Sequence, residues 1–263
     1  MKNSAAAIQQ RQIRLLRHLQ EAGACSVAEL AELLRVSQVT VRRDLEEMEE
    51  KKLLVRHFGG AQALAPSRYE DERAYMASIP ENEGCKRAIA RAAAELLRDG
   101  DTVFINSSAT ALMIYPYITR DVMVITNNGR SLQVERPASV ALMLTGGEVN
   151  GNKKSLTGPA AVAMLSRVTA SKCILGVSGI SVGGGLTSRV LQETAINRAM
   201  LERCSGEKII IADHTKIGTE HNFFFGDLRE ITRLITDTQA DPARLDELRQ
   251  AGIAVQTVEP MEA

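Results

Sequence analysis

The stretch Ser26-Val27-Ala28-Glu29-Leu30-Ala31-Glu32-Leu33-Leu34-Arg35-Val36-Ser37-Gln38-Val39-Thr40-Val41-Arg42-Arg43-Asp44-Leu45 holds two helix starts separated by a tight turn. Ser26 reads as an N-cap, and Glu29 completes a capping box. Val27, Leu30, Ala31 and Leu34 follow at i, i+3, i+4 and i+7, the spacing of a short amphipathic helix. After the Arg35-Val36 connection, Ser37 caps a second helix whose buried stripe is Val41, Leu45 and Met48. At about 100° per residue, Val39 and Arg43 point away from that stripe, with Thr40 and Arg42 flanking them. Two guanidinium groups, a hydroxyl and a methyl-bearing side chain near one helix end suit base edges and phosphates.

Working outward, Ile8, Leu15, Leu16 and Leu19 share a face of an earlier helix that Gly23 ends. The acidic run Glu46, Glu47, Glu49 and Glu50 would repel phosphate, so groove insertion is expected from the N-terminal half of the helix. Lys51-Lys52 favour its C-terminus and can reach a DNA backbone. Leu53 to Ala61 reads as a short strand and Gly-bearing turn, a wing with Arg56 and His57 near its tip. The candidate DNA-contacting residues are therefore Ser37, Gln38, Val39, Thr40, Arg42, Arg43, Arg56 and His57. The alternative is a three-helix protein-interaction module whose arginines only solvate a face.

The chain has 263 residues, 44% apolar and 24% charged, which argues against disorder, collagen and a disulfide scaffold. With 3% aromatics and no Trp, its cores must be built from Ala, Leu, Ile, Val and Met. Thirty-two basic side chains balance 32 acidic ones, so nucleic-acid binding has to come from a local patch. No apolar run approaches a membrane span, and Met1 to Gln12 lacks a signal-peptide core, which makes a cytoplasmic location and no membrane partner the expectation. Cys25, Cys85, Cys173 and Cys204 are scattered without zinc-site spacing and read as small buried hydrophobes, so neither a metal nor a cofactor is expected.

A polar stretch from Ala65 to Arg73 interrupts the apolar periodicity. It divides the chain into a DNA-binding domain over 1–64, a linker over 65–80 and an α/β domain over 81–263. Strands are expected at Thr102–Ile105, Met123–Thr126, Val140–Leu144, Cys173–Val177, Lys208–Ala212, Leu234–Thr236 and Ala254–Val258. Their run-like character predicts a sheet covered on both faces. Helices are expected over Lys86–Arg98, Ala109–Ile118, Gly158–Arg167 and Glu193–Cys204.

Loops at the strand ends carry the binding candidates. Asn106, Ser107, Ser108 and Thr110 offer small polar groups where a strand runs into a helix, a place for a phosphate, although an ordinary N-cap uses the same residues. Thr126-Asn127 and Gly146-Gly147 follow the next two strands, and ligands of open α/β sheets gather outside carboxyl ends of strands. Glycine pairs also serve as plain turns, the favoured reading for Gly183-Gly184-Gly185. Glu193 could accept sugar hydroxyls and Lys216 pair with phosphate, or both could be solvated surface charges.

The chain resembles the DeoR family of bacterial transcription regulators. In the N-terminal part the resemblance rests on Arg11-Gln12-Ile13, Ser26 to Ala31, Val36 to Leu45 and Val55-Arg56-His57-Phe58-Gly59-Gly60-Ala61. Beyond, it rests on Asp99-Gly100-Asp101-Thr102, Thr126-Asn127, Thr145-Gly146-Gly147-Glu148, Leu156 to Pro159, Leu175 to Ile180, Gly185-Leu186-Thr187, Ala212-Asp213 with Lys216, and Leu234 to Asp237. It implies a small winged helix-turn-helix domain and an α/β sensor domain with the fold of ribose-5-phosphate isomerase and CoA transferases. It further implies a phosphorylated sugar or related effector, with phosphate at Ser107, Ser108 and Thr110. Asn106, Ala109 and Ser178 depart from the residues common in the family, Asp, Thr and Asp. An isomerase needs a positioned base, and the Ser178 loop supplies no carboxylate.

The expected function is a DNA-binding regulator, a repressor of carbohydrate genes rather than an enzyme. Its partners would be a double-stranded operator, a phosphorylated sugar and a second or further copy in a homodimer or homotetramer. The alternatives are a phosphosugar enzyme with an accessory helix-turn-helix and an adaptor without DNA affinity.

Overall fold

The computed structural model describes residues 11–12, 14–15, 18–19, 24–50, 54–57, 59–63, 82–150 and 154–262. The expected linker, Ile8, Leu16, Gly23, Lys51, Lys52 and Leu53 lie outside the described residues. The chain forms two compact units, Met1–Glu70 and Asp71–Ala263.

In the first unit, the described residues of 11–19 are helical. Strand β1 (Ala24–Ser26), helices α1 (Val27–Leu34) and α2 (Gln38–Glu50), and strands β2 (Leu54–His57) and β3 (Gly60–Ala63) follow. The capping box forms as expected: Glu29 N donates to Ser26 Oγ at 3.2 Å and Ser26 N to Glu29 Oε2 at 2.7 Å. Arg35 takes the left-handed conformation, φ 53°, and turns the chain between α1 and α2. Leu15, Leu19, Val27, Leu30, Leu34, Val41, Leu45 and Met48 close one core, so the stripes read from spacing are the buried ones. Strand β1 escaped the sequence reading because three residues show no alternation. It exists by pairing with β3 in an antiparallel sheet ordered β1-β3-β2. A Cβ at Gly60 would lie 2.3 Å from the Cys25 carbonyl, so this pairing requires glycine.

The second unit runs α3 (Glu83–Ala94), β4 (Thr102–Ile105), α4 (Ala109–Leu112), β5 (Val122–Thr126), β6 (Val140–Leu144), β7 (Glu148–Asn150), β8 (Ser155–Thr157) and α5 (Pro159–Leu165). It continues with β9 (Ala170–Gly176), β10 (Gly179–Ser181), β11 (Gly185–Ser188), α6 (Leu191–Glu202), β12 (Cys204–Ile211), β13 (Phe223–Gly226), β14 (Arg233–Asp237), α7 (Pro242–Gln250) and β15 (Ala254–Val258). The seven strands expected from the sequence form one wholly parallel sheet in the order β15-β14-β12-β9-β4-β5-β6. One core packs Ile89, Ala93, Ile114 and Tyr115 against it, and another packs Leu165, Ile196, Met200 and Leu245.

The expected helix Ala109–Ile118 stops at Leu112 and resumes as a 3₁₀ turn, Tyr115–Tyr117. Pro116 has no N–H to give an α-helical bond, and the preceding residues tighten to i,i−3 bonding, Met113 N to Thr110 O and Ile114 N to Ala111 O. At the amino ends of the sheet, Lys172 Nζ meets Asp101 Oδ2 at 2.7 Å, both side chains nearly buried. Burial acts to raise the Asp101 pKa, but hydrogen bonds from Lys172, Ser171 and Arg98 N outweigh it and hold the carboxyl below its ordinary value. Among the described residues no helix is long and apolar enough to cross a membrane.

Candidate functional site

Helix α2 presents Ser37, Gln38, Val39, Arg42 and Arg43 to solvent, with Val39 72% exposed, while Val41, Leu45 and Met48 are buried. Ser37 Oγ accepts from Thr40 N at 3.2 Å and also bonds the Thr40 hydroxyl at 2.8 Å, so these two residues build the helix start. Asp44 is buried beneath this face and takes both Arg11 Nε and Nη2, at 2.5 and 2.9 Å, which fixes the angle between the first helix and α2. The acidic run has a local role that spacing did not reveal. Glu46 and Glu49 hold the Arg56 guanidinium of the wing at 2.9 and 2.7 Å, and Arg56 N also donates to Glu49. Arg56 is thus engaged, whereas His57 is exposed.

In the second unit the strand order reverses between β4 and β9: the chain lays β5 and β6 on one side of β4 and β9, β12 and β14 on the other. Such a reversal opens a crevice at the carboxyl ends of the strands. A cavity of about 130 Å³ lies there, lined after β4 by Asn106, Ser108 and Thr110, after β9 by Gly176 to Ser178, and after β12 by Ala212, Asp213 and Lys216. A Cβ at Gly176 would meet Ser108 Oγ at 2.0 Å, so glycine is what lets the β4 and β9 exits approach.

Of the expected binding residues, Asn106, Ser108, Thr110, Glu193 and Lys216 line this cleft. Asn106 is a buried strap: Nδ2 donates to Gly176 O at 2.8 Å and Asn197 Oδ1 at 3.0 Å, and Oδ1 accepts from Gly176 N at 3.0 Å. An aspartate could not donate those two bonds. Ser108 caps α4 through Ala111 N. Glu193 is buried rather than a solvated surface charge, and Lys216 is half-buried. Ser107 stands behind the lining, its hydroxyl donating to Glu193 Oε1 at 3.0 Å and accepting from Asn127 Nδ2 at 3.4 Å. Thr126, Asn127, Gly146 and Gly147 do not line the cleft. Thr126 accepts from Asn128 N, Asn127 ties to Leu156 O, and a Cβ on Gly147 would strike Thr157 O at 2.4 Å.

Sequence reading missed the polar lining residues Lys86, Ser188, Arg189, Asn197 and Asp213. Lys86 had a signal: with Ile89, Ala90 and Ala93 it falls at i, i+3, i+4 and i+7 on a buried stripe, and it is 4% exposed. Arg189 donates to His221 Nε2 at 3.2 Å; burial and then the Arg189 charge lower the His221 pKa. The Ser178 loop carries no carboxylate, as expected, yet Glu193 and Asp213 bring two from elsewhere. Near the cleft, burial pushes the Cys85 thiol up to about 11, with the Asp237 carboxylate adding to the shift, the opposite of an activated thiolate.

The DeoR-like helix-turn-helix domain matches residues 11–67 and the DeoR C terminal sensor domain residues 81–238. The chain belongs to the DeoR family of transcription regulators. Relatives of this DeoR-family protein include the HTH-type transcriptional regulator GlpR of Haloferax volcanii, 29% identical over 94% of this chain and 96% of the relative. The lactose phosphotransferase system repressor of Staphylococcus aureus is 32% identical over 82% of this chain and 86% of its own. Ribose 5-phosphate isomerase A from Methanocaldococcus jannaschii aligns with 52% of the chain and 55% of its own, at 14% identity and a TM-score of 0.36. The regulator joins an N-terminal helix-turn-helix domain to a C-terminal α/β domain with a parallel sheet.

Proposed function

We propose that this DeoR-family regulator represses carbohydrate genes and that a phosphorylated sugar or related metabolite, bound in the β4–β9 cleft, modulates its hold on the operator. The observation that carries the reading is the composition of that cleft. Lys86, Arg189 and Lys216 supply cationic groups for a phosphate, while Glu193, Asp213 and Asn106 supply acceptors for hydroxyls. Ser37, Gln38, Val39, Thr40, Arg42 and Arg43 at the exposed N-terminal half of α2 would enter the major groove, with His57 on the wing. The protein acts in the cytoplasm as a symmetric dimer or tetramer that spans paired half-sites. The staphylococcal relative, a lactose phosphotransferase system repressor, supports the direction of control.

The deciding experiment selects bound fragments from the protein's own genomic DNA, with and without a panel of sugar phosphates and their unphosphorylated counterparts. Enrichment of a defined site that one sugar phosphate abolishes is the expected result. A defined site that no sugar phosphate affects overturns the effector assignment. The second reading, an isomerase-like enzyme, draws on the two carboxylates in the cleft, Glu193 and Asp213. Turnover of a sugar phosphate by the purified protein would establish it, and binding without turnover dismisses it.

A further inference from the structure

Sequence spacing sets Cys85 far from any partner, yet the fold gathers it with two other donors. Cys85 lies in the first turn of α3, His214 opens the 3₁₀ turn after β12, and Asp237 ends β14. One donor atom from each lies within 4.8 Å of the other two, and this is the one such His/Cys/carboxylate cluster among the described residues. We propose that Cys85, His214 and Asp237 form a binding site for a borderline-soft divalent cation of the zinc type, distinct from the sugar cleft.

The donor chemistry selects the ion. One sulfur, one imidazole nitrogen and one carboxylate oxygen suit zinc-like metals, whereas calcium and magnesium demand oxygen donors. Three protein ligands are the number found in open zinc sites, which leave a further position for water or an exogenous group. The charges also balance: a thiolate, a neutral imidazole and a carboxylate neutralise a divalent ion, so the buried assembly carries no net charge. On binding, the Cys85 thiol passes its proton to solvent, and the present 2.9 Å contact between His214 Nδ1 and Asp237 Oδ1 gives way to bonds from each residue to the ion.

The surroundings already orient the ligands as metal sites require. Asp237 is fully buried and its carboxylate accepts from His214 N at 2.8 Å and Gln239 N at 3.1 Å, which fixes its plane. Cys85 is 4% exposed, but the His214 side chain keeps 22% of its surface open and provides the entry path. Cys25, Cys173 and Cys204 are also free and buried, and none of them belongs to such a cluster among the described residues. The ligands adjoin cleft residues in the chain, Cys85 beside Lys86 and His214 beside Asp213, so occupancy of one site bears on the backbone of the other.

The test titrates the full-length, untagged, chelator-treated protein with cobalt(II). The expected result is one ion per chain with a thiolate-to-cobalt charge-transfer absorption in the near ultraviolet. Zinc(II) should displace the cobalt, and excess magnesium(II) should not. Cys85→Ser should lose the charge-transfer band, and His214→Ala, at a partly exposed position, should lose tight binding while still folding, with a cooperative melt lowered by the loss of its contact to Asp237. Absence of the band in the parent protein overturns the proposal, as does an unchanged band in Cys85→Ser. Should Cys85→Ser fail to fold, unchanged cobalt affinity in a folded His214→Ala overturns it equally.

Discussion

The Ser107 hydroxyl donates to Glu193 Oε1 at 3.0 Å, so a residue expected to grip a ligand's phosphate stands behind one that faces the cleft. Ser107→Ala removes one hydrogen bond to the buried Glu193 carboxylate and loosens the position of that side chain. A lost hydrogen bond to a charged group is worth roughly 1.5–3 kcal/mol. The effector concentration for half-maximal operator release should therefore rise about tenfold or more, with operator affinity in the absence of effector unchanged. An anisotropy titration of labelled operator against effector reads both quantities, and an unshifted midpoint would remove Glu193 from the binding machinery.

Arg42→Ala combined with Arg43→Ala should abolish specific DNA binding and spare the fold. Both side chains are exposed on the face of α2 opposite its core stripe. Each good base contact contributes about 1–3 kcal/mol, so the pair accounts for roughly thirtyfold or more in affinity. Gel-shift titration beside a thermal melt is the check, and retained operator affinity would move recognition off α2.

Glu49→Gln should tighten binding to DNA of any sequence. The Glu49 carboxylate holds Arg56 and sits below its ordinary pKa because it accepts from the Arg56 backbone and guanidinium. Removing that charge leaves Arg56 held by Glu46 alone and takes away a repulsive anion. The plot of log affinity against log salt should steepen by about one phosphate's worth. A parallel plot of unchanged slope would mean that the wing stays off the DNA backbone.

Lys172→Met should cost about 3 kcal/mol at neutral pH, because Asp101 is left charged and buried without its cation. In the parent protein the Asp101 pKa is lowered on folding, so its contribution is present above the ordinary carboxylate range and fades as pH falls through the lowered value. The gap in melting temperature between parent and variant should accordingly narrow in acid. A gap independent of pH would assign the loss to packing of the lysine stem.

The elements that could be read from residues alone are those with their own periodicity. The stripe Val41, Leu45, Met48 and the seven apolar runs of the large sheet each state their structure locally. The three- and four-residue strands β7, β8, β10, β11 and β13 exist only through antiparallel partners and leave no local trace. Helix α7 did have a sign, Asp241 before Pro242 at the first helical position. The cleft was half legible. Residues following β4 declared themselves as a polar strand end, but Arg189, Asn197 and Asp213 join them only because β9 and β12 stack on that side of β4.

That strand order sets when the cleft is completed during synthesis. The walls of the cleft run from Lys86 to Phe225 in the chain, and β5 and β6 are made before the β9 that must slot in on the opposite side of β4. A ribosome that has delivered everything up to β6 has produced the whole helix-turn-helix unit but only one lip of the cleft proposed to hold the effector. Parallel neighbours so distant in sequence are slow to find each other. The cleft is therefore among the last features the newborn chain completes, and a fragment cut short before β12 would lack the wall formed by Ala212, Asp213 and Lys216.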